Sequence, residues 1–236
     1  MSSRTFSHVT DGCPEAIPIM MKRGAVKKLV ELLTLDEQAI QVSALRTVGN
    51  LVAENDKQTQ LIISYGVVNQ FTTLLQHPKK SIRKEVAWAI SNITAGTKGQ
   101  IQAVIDANLF PKLMEIISSQ YEAELKREAF WAFTNALERG SPIQVQYLID
   151  LGTATVFCDA LTSSDVETVL VVLRGLEAIL KWATVNNSLG KIITSIESCG
   201  GLNTVKSLKE HLNDEVVSAA LKVLNFIKNE NDTTEK

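Results

Sequence analysis

The sequence predicts an all-α protein built from a repeated unit of about 42 residues. The first observation is a series of turn residues, each followed by an apolar segment: Gly24, Gly66, Asn108, Gly152 and Gly201. The second is a motif series that begins at Arg46, Trp88, Trp131 and Arg174, at intervals of 42, 43 and 43 residues. A third series has glutamine ahead of three of the turns, at Gln60, Gln102 and Gln146. Because three series share one period, the repeat is secure.

Each unit holds three apolar segments with helical spacing and no alternating strand pattern. In the unit Lys57–Lys98 the sequence predicts helices over Gln58–Tyr65, Val67–Gln76 and Ser81–Ala95. Ser81 is expected to cap the third of these, since its hydroxyl can accept from the first free backbone amides. Three helices at this period predict a right-handed α-solenoid of armadillo repeats.

Composition excludes several classes of protein. The chain has 24 Lys and Arg against 26 Asp and Glu, so its net charge of −2 does not favour nucleic acid. No segment has the roughly 20 apolar residues that cross a bilayer, so no membrane partner is expected. Three widely spaced cysteines indicate neither a disulfide framework nor a metal site. We expect an intracellular protein that needs no cofactor.

An enzyme is not expected either. The sequence holds no phosphate-binding loop, no dinucleotide fingerprint and no zinc-protease motif. Its three histidines, His8, His77 and His211, fall in different repeats, and none is paired with a candidate nucleophile. Cys158 stands on an apolar helix, where a small buried side chain is the ordinary interpretation.

The third helices carry a polar and aromatic pattern that we call the ladder. In two successive repeats Trp and Asn lie four residues apart, and a glutamate stands three residues before each Trp, so the three side chains share a face. These residues are Glu85, Trp88 and Asn92, then Glu128, Trp131 and Asn135. The preceding repeat has Arg46 and Asn50 at the Trp and Asn positions, and the following one has Arg174 and Ala178. Trp182 lies outside the register and is interpreted as a packing residue.

The ladder suits an extended basic peptide. An Asn amide both donates and accepts, so it can hold a peptide unit without reading the side chain. A Lys or Arg stem can pack on a Trp face, with a cation–π contribution of about 0.5–2 kcal/mol. Glu85 and Glu128 could then bind the charged heads. A Trp on such a helix can instead be simple core, but two in phase, each with its glutamate, favour binding.

The ladder and three further segments resemble one known family in order and spacing. The segments are Ser91–Gly96, Val104–Asn108 and Glu197–Leu202. Together they resemble the carboxy-terminal half of importin-α, the armadillo adaptor that carries nuclear-localisation signals to importin-β. The resemblance extends from about Arg4 to about Asn229 and implies repeats six to ten after a partial fifth.

By this resemblance the chain carries the family's minor signal-binding site. The residues that match it are Asn50, Val52, Thr59, Glu85, Trp88, Ser91, Asn92, Glu128, Trp131 and Asn135. The implied partners are cargo proteins with Lys- and Arg-rich signals, in the cytoplasm and the nucleus. The resemblance also implies partial contact with the family's export receptor through Gly200–Ile227. Nothing in Met1–Arg23 resembles the family's importin-β-binding arm.

Three domains follow from this interpretation. Residues 1–23 are expected to form the third helix and following segment of a partial repeat, residues 24–228 the repeat array, and residues 229–236 a disordered polar tail. Without an amino-terminal neighbour, we expect residues 1–23 to fray or to mediate self-association.

Two alternatives stay open. One is an armadillo scaffold outside nuclear import, which would typically line its groove with Lys and Arg for acidic ligands. The other is a truncated decoy that binds signals without recruiting importin-β. A negative groove potential would favour signal binding, and a positive one the scaffold.

Overall fold

The computed structural model describes residues 24–119 and 122–234. The expected partial repeat over residues 1–23, with its fraying or self-association, lies outside the described residues. In the two described ranges the chain forms fourteen α-helices, one short 3-10 helix at Leu208–Glu210 and no strand. The all-α prediction is therefore confirmed.

The helices follow one another with short connections. In order they are α1 (Ala25–Leu32), α2 (Gln38–Glu54), α3 (Asp56–Ser64), α4 (Val67–Leu74), α5 (Lys80–Thr94), α6 (Lys98–Asp106), α7 (Leu109–Ser118), α8 (Ala123–Arg139), α9 (Pro142–Asp150), α10 (Thr153–Ala160), α11 (Val166–Val185), α12 (Leu189–Ser198), α13 (Gly201–Ser207) and α14 (Asp214–Thr234). Two short helices and one long helix make each complete repeat, and the long helices α2, α5, α8, α11 and α14 are the third helices.

The chain divides into two compact units, the first ending at Ala132 and the second beginning at Phe133. In the first unit α2 packs against α5, and α3 packs against α6 of the next repeat. In the second unit α11 packs against α14, and α10 packs against α12 and α13. In each unit, the third helices of successive repeats therefore pack on each other, and the short helices pack on short helices of the next repeat.

The turn residues of the first series have a common backbone conformation. Gly66 has φ 81°, in the left-handed region that glycine enters without steric cost, and α4 begins at the next residue. Asn108, at φ 54°, does the same before α7. In the last repeat the prediction was one residue late, because the left-handed residue is Gly200 and Gly201 is already the first residue of α13.

The predicted cap at Ser81 is wrong. Helix α5 begins at Lys80, its N-cap is Lys79, and no side chain caps it. Ser81 lies inside the helix, where its hydroxyl accepts from Gln38 Nε2 of α2 at 3.2 Å. A serine near a helix start can serve either role, and here the neighbouring repeat supplies a donor.

Two caps that the sequence reading missed begin α6 and α9. Thr97 and Gln100 form a reciprocal capping box, and Ser141 and Gln144 form another. The Gln100 carboxamide accepts from the Thr97 backbone amide at 2.8 Å, and its Nε2 donates to the Asp56 carbonyl of α3, also at 2.8 Å. One buried glutamine thus caps its own helix and binds the preceding repeat.

Aromatic side chains fill the core of each unit. Phe71 and Phe110 are fully buried in the first unit, and Phe133 and Phe157 in the second. The rings of Phe133 and Phe157 meet edge to face, with centroids 6.4 Å apart. Cys158 is 3% exposed, so its interpretation as a buried residue is confirmed.

The last helix extends further than the sequence indicated. Helix α14 continues to Thr234, six residues into the segment for which a disordered tail was expected. Helicity through Thr234 corrects that expectation for the backbone of residues 229–234. Over the described part of the chain, no helix combines the length and the apolar character that crossing a membrane requires.

Candidate functional site

The ladder residues of the first unit surround a groove of about 210 Å³, which we call the Trp88 groove. Its lining comes from three successive third helices. The lining residues are Arg46 of α2, Lys84, Glu85 and Trp88 of α5, and Glu128 of α8. The structure therefore brings together both predicted glutamates and one predicted tryptophan.

Trp88 lies half-buried, with its indole against the backbone of α2. The six-membered ring faces Gly49, where a Cβ atom would come within 2.5 Å of Cε3 and closer still to Cζ3. One turn later, Asn92 Nδ2 donates to the Gly49 carbonyl at 3.2 Å. This bond leaves the amide oxygen and the second N–H of Asn92 available to another partner.

Glu128, one of the two groove glutamates, is partly buried, and this burial affects its ionisation. Loss of hydration raises the pKa of its carboxyl group above the ordinary value, and the nearby Glu85 carboxylate acts in the same direction. Arg127, Lys84 and a hydrogen bond from Ser91 oppose this shift without cancelling it. A carboxylate in this situation gains from a cationic partner.

Lys84 does not supply that partner directly. Its Nζ lies 2.9 Å from Glu124 Oε2, and this hydrogen bond lowers the pKa of the Glu124 carboxyl group. The remaining cation of the lining, Arg46, is exposed on α2. The lining thus holds two carboxylates, the exposed Arg46 and a lysine that is already hydrogen-bonded to Glu124.

Three predicted site residues lie below the surface. Val52, Thr59 and Ser91 are only 3%, 2% and 5% exposed. The Thr59 hydroxyl donates to the Val52 carbonyl at 2.9 Å, and the Ser91 hydroxyl donates to the Trp88 carbonyl at 2.8 Å. These side chains present little surface to a ligand, and none of the three is among the lining residues of the Trp88 groove.

The other predicted residues are half-buried on the third helices. Asn50 lies one turn after Arg46 on α2, and Trp131 lies on α8 within the first unit. Asn135 follows on the part of α8 that belongs to the second unit. The Trp88 groove as described is built from residues of the first unit alone.

The second unit contains a larger groove that sequence reasoning missed. It measures about 490 Å³, and Trp182, Arg174, Glu177, Ala178 and Lys181 of α11 line it together with Glu138 of α8. Arg174 donates from Nε and Nη2 to the two oxygens of the Glu138 carboxylate. Lys181 Nζ lies 2.6 Å from Glu177 Oε1. Trp182, interpreted above as a packing residue, both packs and lines this groove. The signal for it was present, because Arg174, Ala178 and Trp182 are spaced four apart and share a helix face.

Comparisons with known proteins agree with the fold and point to one family. The family model described as Armadillo/beta-catenin-like repeat matches residues 55–95 and 97–137. Importin subunit alpha-1a of Oryza sativa subsp. japonica is 39% identical, with 97% of this chain and 45% of that protein covered. Importin subunit alpha-4 of Arabidopsis thaliana is 40% identical, with 93% of this chain and 42% of that protein covered. The chain thus spans less than half the length of these relatives.

Solved structures of similar fold include designed armadillo proteins. One, in complex with the peptide (KR)4, superposes with a TM-score of 0.85 at 26% identity, covering 95% of this chain and 90% of that one. Another, computationally designed for modular peptide recognition, superposes with a TM-score of 0.86 at 26% identity, covering 95% and 91%. The armadillo-repeat prediction is confirmed.

Proposed function

We propose that this chain, an armadillo-repeat homologue of the importin α subunits, binds Lys- and Arg-rich nuclear-localisation peptides in the Trp88 groove. The role is recognition without catalysis, in an adaptor that moves between cytoplasm and nucleus. The proposed site comprises the ten residues matched by resemblance, with Val52, Thr59 and Ser91 in supporting positions. Contact with an export receptor through Gly200–Ile227 is a further part of the proposal.

The observation that carries the proposal is the grouping of Glu85, Trp88 and Glu128 around one groove, with Asn92 a turn away. A lysine or arginine stem lying on the Trp88 ring would place its head between two carboxylates. The Asn92 amide would hold the adjoining peptide unit through its free oxygen and N–H. The complex of a designed armadillo protein of similar fold with the peptide (KR)4 supports a Lys- and Arg-rich ligand here.

Charge also separates this proposal from the scaffold alternative. The groove lining holds two carboxylates, Glu85 and Glu128, and two cations, Arg46 and Lys84, of which Lys84 is hydrogen-bonded to Glu124. A groove for an acidic ligand would instead need cations in excess. The pairing of Lys84 therefore supports a basic peptide over an acidic one.

Fluorescence anisotropy with a labelled (KR)4 peptide tests the proposal. We expect saturable binding that weakens between about 100 mM and about 300 mM salt, because the charge pairs lie at an open groove. Trp88→Ala should weaken binding at least about tenfold, as expected for an aromatic anchor. Trp182→Ala is the matched control, since it removes a half-buried tryptophan from the other groove and should leave affinity for the labelled peptide unchanged.

Two outcomes would count against the proposal. Equal loss in Trp88→Ala and Trp182→Ala would place binding elsewhere or show it to be unspecific. Tighter binding of an acidic peptide such as poly-glutamate would favour the scaffold alternative.

A further inference from the structure

We propose that Gly49 is a positioning residue of the Trp88 groove, seating the Trp88 indole with its missing side chain and orienting the Asn92 amide with its carbonyl. The expected effect of Gly49 on peptide affinity rests on the proposed function. The placement of the two side chains is independent of any ligand and can be measured without one.

Backbone conformation does not explain a glycine at position 49. Gly49 lies in the interior of α2, as the twelfth residue of that helix, and it is not among the residues with positive φ. Alanine is the better helix former at such a position, so local stability alone favours a methyl group. The reason for glycine must lie in what approaches it.

What approaches Gly49 is the Trp88 ring. A Cβ atom at position 49 would lie 2.5 Å from Cε3, 3.1 Å from Cη2 and closer still to Cζ3. These atoms belong to a rigid indole, which cannot bend at one end to make room, so the whole side chain or the helix must shift. Gly49 thus lets the ring lie directly on the α2 backbone.

Gly49 also holds the Asn92 side chain of the ladder through its backbone carbonyl. The Gly49 carbonyl accepts from Asn92 Nδ2 at 3.2 Å, already near the long end for a hydrogen bond. A shift of α5 that relieves contact between Trp88 and a new side chain would lengthen or break this bond. One backbone position therefore controls both the stacking surface and the amide of the groove.

The repeat itself does not demand glycine here. At the corresponding position the next repeat carries Ser91, 42 residues after Gly49. The repeat after that carries Thr134, 43 residues after Ser91. Both have side chains of their own, and Ser91 uses its hydroxyl to contact Trp88 and Glu128. The glycine is specific to the helix that faces Trp88.

The first test follows the two placed side chains by NMR in the full chain. The ¹⁵N-labelled protein has three indole N–H signals, which Trp→Phe variants assign. In Gly49→Ala we expect the Trp88 indole and Asn92 side-chain amide signals to move while the Trp182 indole signal stays. Affinity for (KR)4 should fall about tenfold, comparable to loss of an anchor.

A matched glycine elsewhere separates positioning from general destabilisation. Gly175 lies inside α11, and a Cβ atom there would meet Thr134 Oγ1 at 2.8 Å and Phe157 Cδ2 at 2.9 Å. Gly175→Ala should therefore lower the melting temperature but leave the Trp88 signal and the peptide affinity unchanged. If Gly49→Ala proves unstable, Gly49→Ala with Trp88→Phe supplies the second variant, because the smaller ring removes the steric conflict and should restore the melting temperature.

The outcomes distinguish this inference from the proposed function. If Trp88→Ala leaves (KR)4 binding intact, the proposed function is wrong, and the NMR result alone decides the placement. If Trp88→Ala abolishes binding but Gly49→Ala changes neither the Trp88 signal nor the affinity, the positioning role of Gly49 is wrong.

Discussion

The Ser91 hydroxyl of α5 lies 3.5 Å from the Glu128 carboxylate of α8, and this contact joins two of the third helices that line the Trp88 groove. Together with Arg127 and Lys84 it favours the ionised form of Glu128, but burial outweighs all three and the pKa stays raised. Glu128 therefore binds a proton more readily in the folded chain than a free glutamate does.

Peptide affinity should depend on pH through Glu128. A bound Lys or Arg favours the carboxylate, so binding requires Glu128 to lose its proton. Affinity for (KR)4 should be full at neutral pH and fall as pH drops through the raised pKa toward the ordinary value of 4.5. Anisotropy titrations from about pH 7.5 down to about pH 5 measure this, within the range where other carboxylates stay ionised.

Glu128→Gln is the control for that titration. It should bind more weakly at neutral pH and lose most of the pH dependence. Its effect on stability has the opposite sign, because a carboxyl whose folded pKa is raised destabilises the fold when ionised. Glu128→Gln should thus be more stable than the unsubstituted chain at neutral pH, and the difference should vanish below the ordinary pKa. A pH profile that is identical in both proteins would contradict the assignment.

Asn92→Asp should weaken peptide binding although the two side chains have nearly the same shape. A carboxylate cannot donate to the Gly49 carbonyl, so two oxygens would face each other at 3.2 Å. The new charge would also attract the peptide, so the loss should grow with salt as that attraction is screened. Anisotropy at two salt concentrations tests this, and equal affinity at high salt would show that the hydrogen bond has no role.

Phe157→Ala should lower the free energy of unfolding of the second unit by about 3–5 kcal/mol, the usual cost of deleting a fully buried aromatic ring. The ring is completely buried and meets Phe133 edge to face at 6.4 Å. Urea denaturation followed by circular dichroism measures the change. Arg174→Ala provides the contrast, because its pair with Glu138 is half-exposed and its loss should cost no more than about 1 kcal/mol.

Cys199 should react with alkylating reagents well before Cys158. Burial raises the pKa of the Cys158 thiol, and the residue is 3% exposed, whereas Cys199 is half-buried. Iodoacetamide labelling at about pH 8 followed by peptide mass spectrometry gives the order. Cys13→Ser removes the third thiol, which lies outside the described residues. Faster labelling of Cys158 would show that α10 opens locally.

Periodicity was enough to predict the repeat, the three helices per unit and the common register of Glu85, Trp88 and Glu128, which line the Trp88 groove. It worked because turn residues such as Gly66 and Asn108 mark a required backbone conformation, and because Trp88 and Glu85 share a face by spacing alone. The predicted cap at Ser81 is wrong because its hydroxyl is engaged by Gln38 from another repeat, which the local sequence does not record. The burial of Thr59 and the role of Gly49 depend on how closely two helices approach, which spacing along one helix does not record.

The Gln100 side chain connects the start of its own helix, α6, to the start of α3 in the preceding repeat. It completes the start of α6 through Thr97 and also bonds the Asp56 carbonyl at the start of α3. The beginning of α6 therefore cannot open without releasing the first helix of the preceding repeat. In a linear array this joins neighbours into one cooperative unit of unfolding, so hydrogen exchange at the amides of α3 and α6 should share a single opening free energy.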